Sequence, residues 1–465
     1  MSRSLVSVIL AAFVFLSGGH AFALEPTLVE DTDRAWRSVH GGANGNPVVS
    51  FDGDLTGGGK VTRERFVDVP VWIVSEDFDG DKTYEAAVQF AEGTLRILSF
   101  SKGRFRTVAT VRKMAPGVPP VILTSFGGES TGGLIGINDR GDLVSIDHES
   151  GRTRRLASGF STLSHLVATD LDNNGDKEIV AINDKGKITV VKGRIQTRTD
   201  NTIQLLPDTH LTVADLDGDG ILEIAAFSRP TSDFSRGRLG DDLEARGVAI
   251  FVWDGRTVRL KSDFELPDGQ VFEMLTPIIT GTDGDGDPVL MLPVTEKNKG
   301  TQIRSYSYNK GRLRERRKGP MSDEDQWIHI LGSSIMGDGE RTYLITSLVS
   351  EDDVGDLELY RLDLAQTRIK LRSSVSTHLS GSRLLEGVLI GDMDRDGEIE
   401  LLAPGKRRSS LVVYSLNRNR LKQKEIFNAS KRIGTNLCPG DFNGDGISDI
   451  IFGLEDGTIV VLWGQ

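Results

Sequence analysis

A nine-residue motif that recurs along the chain is the feature that most constrains its fold. The last copy is Asp441-Phe442-Asn443-Gly444-Asp445-Gly446-Ile447-Ser448-Asp449, with oxygen-bearing side chains at positions one, three, five and nine and glycine at position six. Alternating oxygen side chains beside a glycine turn are how a short loop surrounds a hard cation such as calcium. An apolar run follows at once, so the loop leads into a buried strand.

Five copies of the motif are full or nearly full, and each predicts calcium ligands at positions one, three, five and nine. The predicted ligands are Asp77, Asp79, Asp81 and Glu85; Asp170, Asp172, Asn174 and Glu178; Asp215, Asp217, Asp219 and Glu223; Asp392, Asp394, Asp396 and Glu400; and Asp441, Asn443, Asp445 and Asp449. Eroded copies lie at 124–133, 281–289 and 334–342. Loop starts are mostly 45 to 58 residues apart, with one longer gap after Asp215. This spacing indicates a repeat protein.

Every repeat predicts four strands. An apolar strand enters the loop, a second apolar strand leaves it, and a third alternating strand and a fourth polar strand follow. Continuously apolar strands are typical of the buried interior of a sheet, and polar ones of its edge. We therefore predict an all-β fold, a single β-propeller of four-stranded antiparallel blades. We expect eight blades, or seven if the eroded repeat at 124–133 belongs to a neighbouring blade.

The ends of the chain predict how the ring closes. The final repeat stops at its third strand, 458–463, so its fourth strand has to come from elsewhere. We expect an N-terminal strand to supply it, with 46–51 and 36–39 as the candidate segments. The predicted organisation is an N-terminal segment at 24–64 that contains this strand and a propeller at 65–465.

Residues 1–23 have the features of a cleaved export signal. Arg3 gives a positive start, Leu5 to Leu16 form a short apolar run, and Ala21-Phe22-Ala23 offers small residues for cleavage. A membrane anchor is disfavoured because the run is too short to cross a bilayer. No later apolar run reaches spanning length. We expect an exported protein, periplasmic or extracellular, without a membrane span.

Charge and cysteine content narrow the partners. The formal net charge is −12, which argues against nucleic acid or an anionic membrane surface as the main partner. Cys438 is the sole cysteine, so it has no internal disulfide partner, and its flanking residues predict a buried thiol. An exported monomer without disulfides needs another stabilising element, and bound metal is a candidate.

Two other readings of the loops are disfavoured. An EF-hand or a dockerin-type loop needs an acid at position twelve. That position holds apolar residues of the outgoing strand here, namely Val88, Ala181, Ala226, Ala403 and Phe452. Ion-free turns would also be rich in Asp and Gly, but several carboxylates within nine residues repel one another unless a cation neutralises them.

The chain resembles the FG-GAP or VCBS repeat family, propellers related to the integrin α-subunit headpiece, over nearly all of its mature length. The loops that start at Asp215, Asp392 and Asp441 match its motif best. The resemblance implies a seven- or eight-bladed propeller, with structural calcium in four or five loops and a further main-chain ligand at position seven. The Asp77 loop departs from the motif because Lys82 stands at position six, which makes the turn costlier and brings a cation beside the site.

Long loops on the face opposite the metal loops are where we expect a ligand to bind. The largest is the insertion at 229–247, with Phe234, Arg236 and Arg238 as candidate contact residues, and Trp327 is a fourth. The predicted function is a non-enzymatic binding or scaffolding module, adhesion-like, for a protein or glycan ligand of unknown identity. The alternative is a calcium-assisted polysaccharide lyase or another glycan-active enzyme, favoured by the arginine-rich insertion and by eight-bladed lyases of this fold.

Two short segments invite sharper interpretations that the sequence does not favour. Arg140-Gly141-Asp142 spells an integrin-recognition tripeptide but lies in a turn between strands, where such residues are common. Residues 143–151 look like part of a pyrroloquinoline quinone dehydrogenase blade, but the recurring tryptophans of that family are missing. No catalytic arrangement of side chains is identified.

Overall fold

A computed structural model gives the structure of residues 54–465. It leaves out 58–59, 102, 124–132, 163, 165, 194, 199–202, 204, 206–210, 232–243, 274–278, 283–287, 325, 336–341, 351–354, 364–367, 380–387, 406–408, 418–419 and 430. The predicted export signal, the two N-terminal candidate strands, and most of the three eroded loops therefore lie outside the described residues. All the regular elements of the described residues are strands, numbered β1 to β33.

The first three repeats form three separate four-stranded antiparallel sheets, each a simple meander. Their strands are β2(Pro70–Glu76), β3(Glu85–Phe90), β4(Thr94–Ser101) and β5(Arg104–Arg112); β6(Val121–Leu123), β7(Gly133–Ile137), β8(Asp142–Ile146) and β9(Thr153–Ser158); and β10(Leu166–Thr169), β11(Glu178–Ile182), β12(Ile188–Lys192) and β13(Ile195–Arg198).

The next two repeats share one nine-stranded sheet. Two four-stranded meanders are joined in it because β18 pairs with both β16 and β20. The strands are β14(Leu211–Ala214), β15(Glu223–Thr231), β16(Glu244–Trp253), β17(Val258–Glu265), β18(Gln270–Glu273), β19(Ile279–Thr282), β20(Pro288–Glu296), β21(Gly300–Asn309) and β22(Arg312–Met321). The number of blades stays a prediction, since this sheet merges two of the repeats.

Three more four-stranded sheets complete the described chain, the last of them together with β1. Their strands are β23(Gln326–Ile335), β24(Thr342–Ser350), β25(Gly355–Asp363) and β26(Arg368–Leu379); β27(Leu389–Gly391), β28(Glu400–Pro404), β29(Ser410–Asn417) and β30(Arg420–Asn428); and β31(Cys438–Gly440), β32(Asp449–Gly453), β33(Thr458–Leu462) and β1(Val61–Arg65).

Closure by an N-terminal strand is confirmed, but the strand is not one of the two candidate segments. β1 pairs antiparallel with β33, from Val61 opposite Leu462 to Arg65 opposite Thr458. Residues 36–39 and 46–51 lie outside the described residues, and β1 occupies the edge proposed for them. Its polar sequence, VTRER, hides it in a search for apolar strands, because an outer strand keeps one face in water.

The core lies between neighbouring sheets, as expected for a propeller. The second strands β3, β11, β28 and β32 are buried along their whole length, while the outer strand β5 alternates exposed and buried residues. Apolar clusters join each sheet to the next, and one cluster joins the closing sheet to the first through Phe442, Ile451 and Val88. The predicted all-β propeller of four-stranded blades is confirmed.

Candidate metal centres

All five complete loops have the same backbone arrangement. Each connects the first strand of a sheet to the second, and its first carboxylate accepts a hydrogen bond from the N–H of position six, at 2.7–2.9 Å. The ninth residue is buried in all five and accepts a bond from the N–H of position two, at 2.8–3.1 Å. Each of these bonds uses one oxygen of its carboxylate. The other oxygen of the first carboxylate accepts a further backbone N–H bond in the loops at Asp77, Asp170, Asp215 and Asp441.

Two backbone positions in every loop adopt the left-handed conformation that favours glycine. Positions four and six have φ between +55° and +93° in all five loops. Glycine fills position six in four of them, and Lys82 fills it in the Asp77 loop with φ +74°. The Lys82 side chain is exposed, so its ammonium group, which was expected beside this site, points into solvent.

The loop at Asp392 brings together the most carboxylates. Oxygens of Asp392, Asp394, Asp396 and Glu400 lie within 4.8 Å of one another. One buried oxygen of Asp392 and one of Asp394 have no hydrogen-bond partner. Burial, together with the charges of the three neighbouring aspartates, raises the pKa of the Glu400 carboxyl to about 8. A set of hard oxygen ligands with unmatched negative charge fits a calcium ion.

The loop at Asp77 is a smaller cluster of the same kind. Oxygens of Asp77, Asp79 and Glu85 lie within 4.8 Å of one another. Burial raises the pKa of Glu85 to about 7, and Asp79, Asp81 and Asp77 act in the same direction. The predicted ligand Asp81 belongs to the loop but not to this cluster, and its Oδ1 accepts a bond from the N–H of Thr83 at 2.7 Å.

The loops at Asp170 and Asp215 also gather three carboxylates each, but a lysine reaches into both. Lys192 Nζ lies 2.5 Å from Asp172 Oδ2 and 3.2 Å from Glu178 Oε1. In the next sheet, Lys261 contacts the corresponding oxygens of Asp217 and Glu223. Sequence reasoning missed both lysines because each follows its loop by a strand or more, and a lysine at the end of a strand is common. Their spacing carries no motif.

In the loop at Asp441, hydrogen bonds within the chain replace part of the predicted ligand set. Asn443 Nδ2 donates to Asp445 Oδ2 at 2.9 Å. Both oxygens of Asp449 are used by backbone groups, Oδ2 by Phe442 N–H at 3.1 Å and Oδ1 by Gly464 N–H at 3.0 Å. The ninth residue thus ties the C-terminal segment to the loop instead of presenting a free oxygen to an ion.

The predicted contact residues fall partly outside the described structure. Phe234, Arg236 and Arg238 lie in 232–243, which the structure does not describe. The strands on either side, β15 and β16, are the second and third of their sheet, so the insertion joins the strands expected. Trp327 is not a loop residue: it is half-buried in β23 and pairs with Val349.

Strand β22 carries a row of basic residues that are not among the predicted contact residues. Arg312, Arg314 and Arg316 are exposed on β22 and line a cavity of about 590 Å³ together with Lys310 and Asp217. The signal was in the sequence, where basic residues alternate along a polar outer strand. The cavity lies at the turn between the third and fourth strands, on the same face as the metal loops.

Comparisons with known proteins agree with this architecture. Residues 170–226 match the model of the FG-GAP-like repeat, which confirms the predicted resemblance over those residues. A comparison with curated protein sequences finds no match.

Several solved structures have a similar fold at low sequence identity. Saccharomyces cerevisiae Sqt1 aligns with a TM-score of 0.54 at 10% identity, over 89% of this chain and 99% of its own. A europium-containing methanol dehydrogenase aligns with a TM-score of 0.53 at 9% identity, over 92% of each chain. The C-terminal WD40 domain of Sif2 aligns with a TM-score of 0.44 at 10% identity, over 87% and 99%. At these identities the likeness concerns the fold alone.

Proposed function

We propose that this chain, which carries an FG-GAP-like repeat in a β-propeller, is an exported, calcium-stabilised binding or scaffolding module. The observation that carries the calcium part is the Asp392 cluster. Four carboxylates converge there, and two of their buried oxygens lack any hydrogen-bond partner. Calcium takes six to eight oxygen ligands at about 2.3–2.6 Å and tolerates irregular geometry. The Asp77 cluster is the second site that the geometry supports.

The metal has a structural role in this proposal. The ligands come from one loop and the start of the next strand, so a bound cation would hold the first hairpin of its sheet together. Asp392, Asp394 and Asp396 supply oxygens from the loop, and Glu400 supplies one from β28 while its other oxygen holds the N–H of Met393 at 2.8 Å. The sequence predicted four or five such sites, and the geometry favours the Asp392 and Asp77 loops.

Export and the partner are further parts of the proposal. The export signal predicted at 1–23 from the sequence pattern supports a periplasmic or extracellular location. The described residues contain no helix that is long and apolar enough to cross a membrane. Propeller faces commonly carry binding loops on a rigid frame, which supports a protein or glycan ligand near Phe234, Arg236, Arg238 and Trp327.

One observation, on the face that carries the metal loops, favours an acidic glycan as a ligand. Arg312 and Arg314 alternate on β22, so they lie on the same side of the strand, about 7 Å apart. Glu315, which follows Arg314 in sequence, is already paired with Arg304 at 3.1 Å and Lys318 at 3.3 Å. In a chain with net charge −12, this strand is a local excess of positive charge. Carboxylate or sulfate groups of a glycan suit such a surface.

The same cavity bears on the alternative of a polysaccharide lyase. Proton abstraction next to a carboxylate needs a base whose pKa is near the working pH. Tyr308 lines the cavity, but burial raises its pKa to about 12. It therefore keeps its proton near neutral pH, and the arrangement supports binding of an acidic polymer over its cleavage.

Calcium removal tests the structural part of the proposal. EDTA should lower the melting temperature and excess calcium should restore it, because an ion at 100 times its Kd adds about 2.7 kcal/mol of stability. The double variant Asp394→Asn, Glu400→Gln should lose the part of this response that comes from the Asp392 site. Asp139→Asn, which changes an exposed turn acid, is the matched control. A wild-type melting temperature that ignores both EDTA and calcium would overturn the proposal.

The binding part needs its own test. Wild type and the double variant Arg312→Ala, Arg314→Ala should be compared on an array of neutral, uronate and sulfated glycans, with an absorbance assay for unsaturated products alongside. Retention of acidic glycans that the double variant loses, without product, supports the module. Unsaturated product from a uronate polymer would establish the enzyme instead, and no retention of any acidic glycan would remove β22 as the binding surface.

A further inference from the structure

Lys192 enters the Asp170 loop from the end of β12. Val191 pairs with Ile179, so Lys192 stands beside Glu178, the ninth residue of the loop. Its Nζ lies 2.5 Å from Asp172 Oδ2 and 3.2 Å from Glu178 Oε1. The other oxygen of Glu178 is occupied by the N–H of Leu171 at 2.9 Å. The ammonium group therefore binds the oxygen that remains available for a cation.

Lys261 reaches the same place in the next loop from a different strand. Its Nζ lies 2.6 Å from Glu223 Oε1, 3.1 Å from Asp217 Oδ2 and 4.0 Å from Asp219 Oδ2. It is the unpaired residue of a bulge in β17, since Ile250 pairs with Ser262 and Phe251 with Leu260. A bulge turns a side chain away from the ordinary strand alternation. This bulge places the lysine over the loop.

The two lysines bind equivalent oxygens although they come from different strands. Each contacts the third-position carboxylate and the inward oxygen of the ninth. The four contacts are 2.5–3.2 Å long, and both ninth residues are fully buried, where a lone carboxylate is costly. The contact between Lys192 and Glu178 is an ion pair and not an aligned hydrogen bond, since Glu178 Oε1 has no hydrogen-bond partner. Two lysines from different strands thus make the same contacts in two loops. This indicates that each loop needs a cation and that a lysine of the chain supplies it.

The loops at Asp77 and Asp392 have a serine at the position that Lys192 occupies in its own sheet. Ser99 and Ser415 stand where Lys192 stands, one residue beyond the partners of Ala86 and Leu401. In the first sheet, a bulge at the same register as that of Lys261 holds Val108, between the pairs of Ile97 with Ala109 and Leu98 with Thr107. The two kinds of loop therefore differ in the strands beside them, not in their own motif.

We propose that Lys192 and Lys261 are tethered cations that take the place of calcium in the Asp170 and Asp215 loops. This inference rests on the proposed function for the statement that calcium occupies the other loops, but not for the role of the lysines. An ammonium group within 3.2 Å of two carboxylate oxygens occupies the space of a metal ion and removes the charge that would attract one. These two neighbouring loops keep their shape without metal.

The first test uses melting temperatures in EDTA, where calcium plays no part. Lys192→Met and Lys261→Met should each lower the melting temperature by roughly 2–4 °C, because a buried carboxylate loses its partner. Lys185→Met, an exposed lysine of the same sheet as Lys192, should leave it unchanged. Lys261→Arg keeps a cation and should avoid much of this loss of melting temperature. If both methionine variants melt like wild type in EDTA, the lysines do not hold the loops and the inference is overturned.

The second test counts bound calcium by equilibrium dialysis with radioactive calcium. Lys192→Met and Lys261→Met should each bind one more ion than wild type, and added calcium should restore their melting temperatures. Val108→Lys should bind one fewer, because it carries the lysine into the Asp77 loop. Loss of an ion from otherwise wild-type protein on Asp217→Asn would overturn the inference, since it would place calcium beside Lys261.

The two proposals can fail separately. Wild type that binds no calcium, with methionine variants that still melt lower in EDTA, would refute the calcium-stabilised module and keep the tethered cations. If wild type binds calcium at Asp392 and the methionine variants melt like wild type in EDTA, the calcium-stabilised module is kept and the tethered cations are refuted.

Discussion

The side chain of Asn436 exchanges two hydrogen bonds with the backbone of Ile73, 363 residues away in sequence. Its Oδ1 accepts from the Ile73 N–H at 2.8 Å, and its Nδ2 donates to the Ile73 carbonyl at 2.6 Å. Both residues are fully buried. Because Ile73 belongs to the first sheet and Asn436 leads into the closing one, this amide mimics a backbone pair across the seam of the ring.

Replacing Asn436 by alanine should destabilise the protein by about 1–3 kcal/mol, since it leaves the buried Ile73 N–H without its partner. The Ile73 carbonyl still accepts a bond from Cys438 Sγ. Urea denaturation measures the change. Asn428→Ala, at an exposed amide bonded to Glu425, should cost almost nothing. Equal losses in the two variants would show that the Asn436 amide does not hold the seam.

Stability should fall as pH rises in the absence of calcium. Burial raises the pKa of Glu400 to about 8 and of Glu85 to about 7, from an ordinary value of 4.5. Between the ordinary pKa and the raised one, these carboxyl groups have lost their protons in the unfolded chain but still hold them in the folded chain. Unfolding is therefore favoured as pH increases through this range. Melting temperatures in EDTA should therefore decline from pH 5 to pH 8.

Two comparisons sharpen this pH experiment. Saturating calcium should flatten the decline, because the ion binds the deprotonated carboxylates. Glu400→Gln should also make it shallower, since the glutamine does not titrate. A melting temperature that rises with pH in EDTA would contradict the raised pKa values as the source of the dependence.

The thiol of Cys438 should be unreactive in the folded protein. It is buried, its Sγ donates to the Ile73 carbonyl at 3.0 Å, and burial raises its pKa to about 12. The thiolate is the reactive form, so a disulfide reagent at pH 8 should modify the folded protein far more slowly than protein in denaturant. Similar rates in the two states would mean that the closing sheet opens readily.

The loops at the two sides of the seam should differ in importance. Asp445 accepts from the N–H of Ile447 at 2.9 Å and from the amide of Asn443, while Asp81 accepts one bond from Thr83 at 2.7 Å. We expect Asp445→Ala to lower the free energy of unfolding in EDTA by about 1 kcal/mol more than Asp81→Ala, since it removes one more hydrogen bond, and so to lower the melting temperature more. Equal losses would argue against a special role for the closing sheet.

The repeat predicted the parts of the fold that depend on local sequence. Strand alternation around each loop placed β10, β11 and β12 because burial of both faces or of one face leaves its own pattern. The position of the closing strand in the sequence was not predicted, because it depends on pairing with β33 far along the chain. An exposed outer strand also carries no apolar pattern. Long-range pairing leaves little trace in the residues that pair.

The candidate sites show the same division. The loop motif predicted the carboxylates that gather at Asp392 and Asp77, because their spacing within nine residues fixes their geometry. It did not predict Lys261, whose approach depends on a bulge in a neighbouring strand, nor the use of Asp449 by Gly464. The residues that contact a loop from neighbouring strands depend on the register of the sheet, and the loop sequence does not determine that register.

Pairing of β1 with β33 has a consequence for association between copies. The Trp463 indole and the Thr62 hydroxyl form a 3.0 Å hydrogen bond between residues 401 positions apart, in a strand pair that any second copy can reproduce with the same register. Before β1 docks, β33 presents an open row of backbone groups. At high protein concentration the β1 strand of one molecule can complete the ring of another. The fold thus contains a route to strand-swapped dimers that requires no contact beyond those already made within one chain.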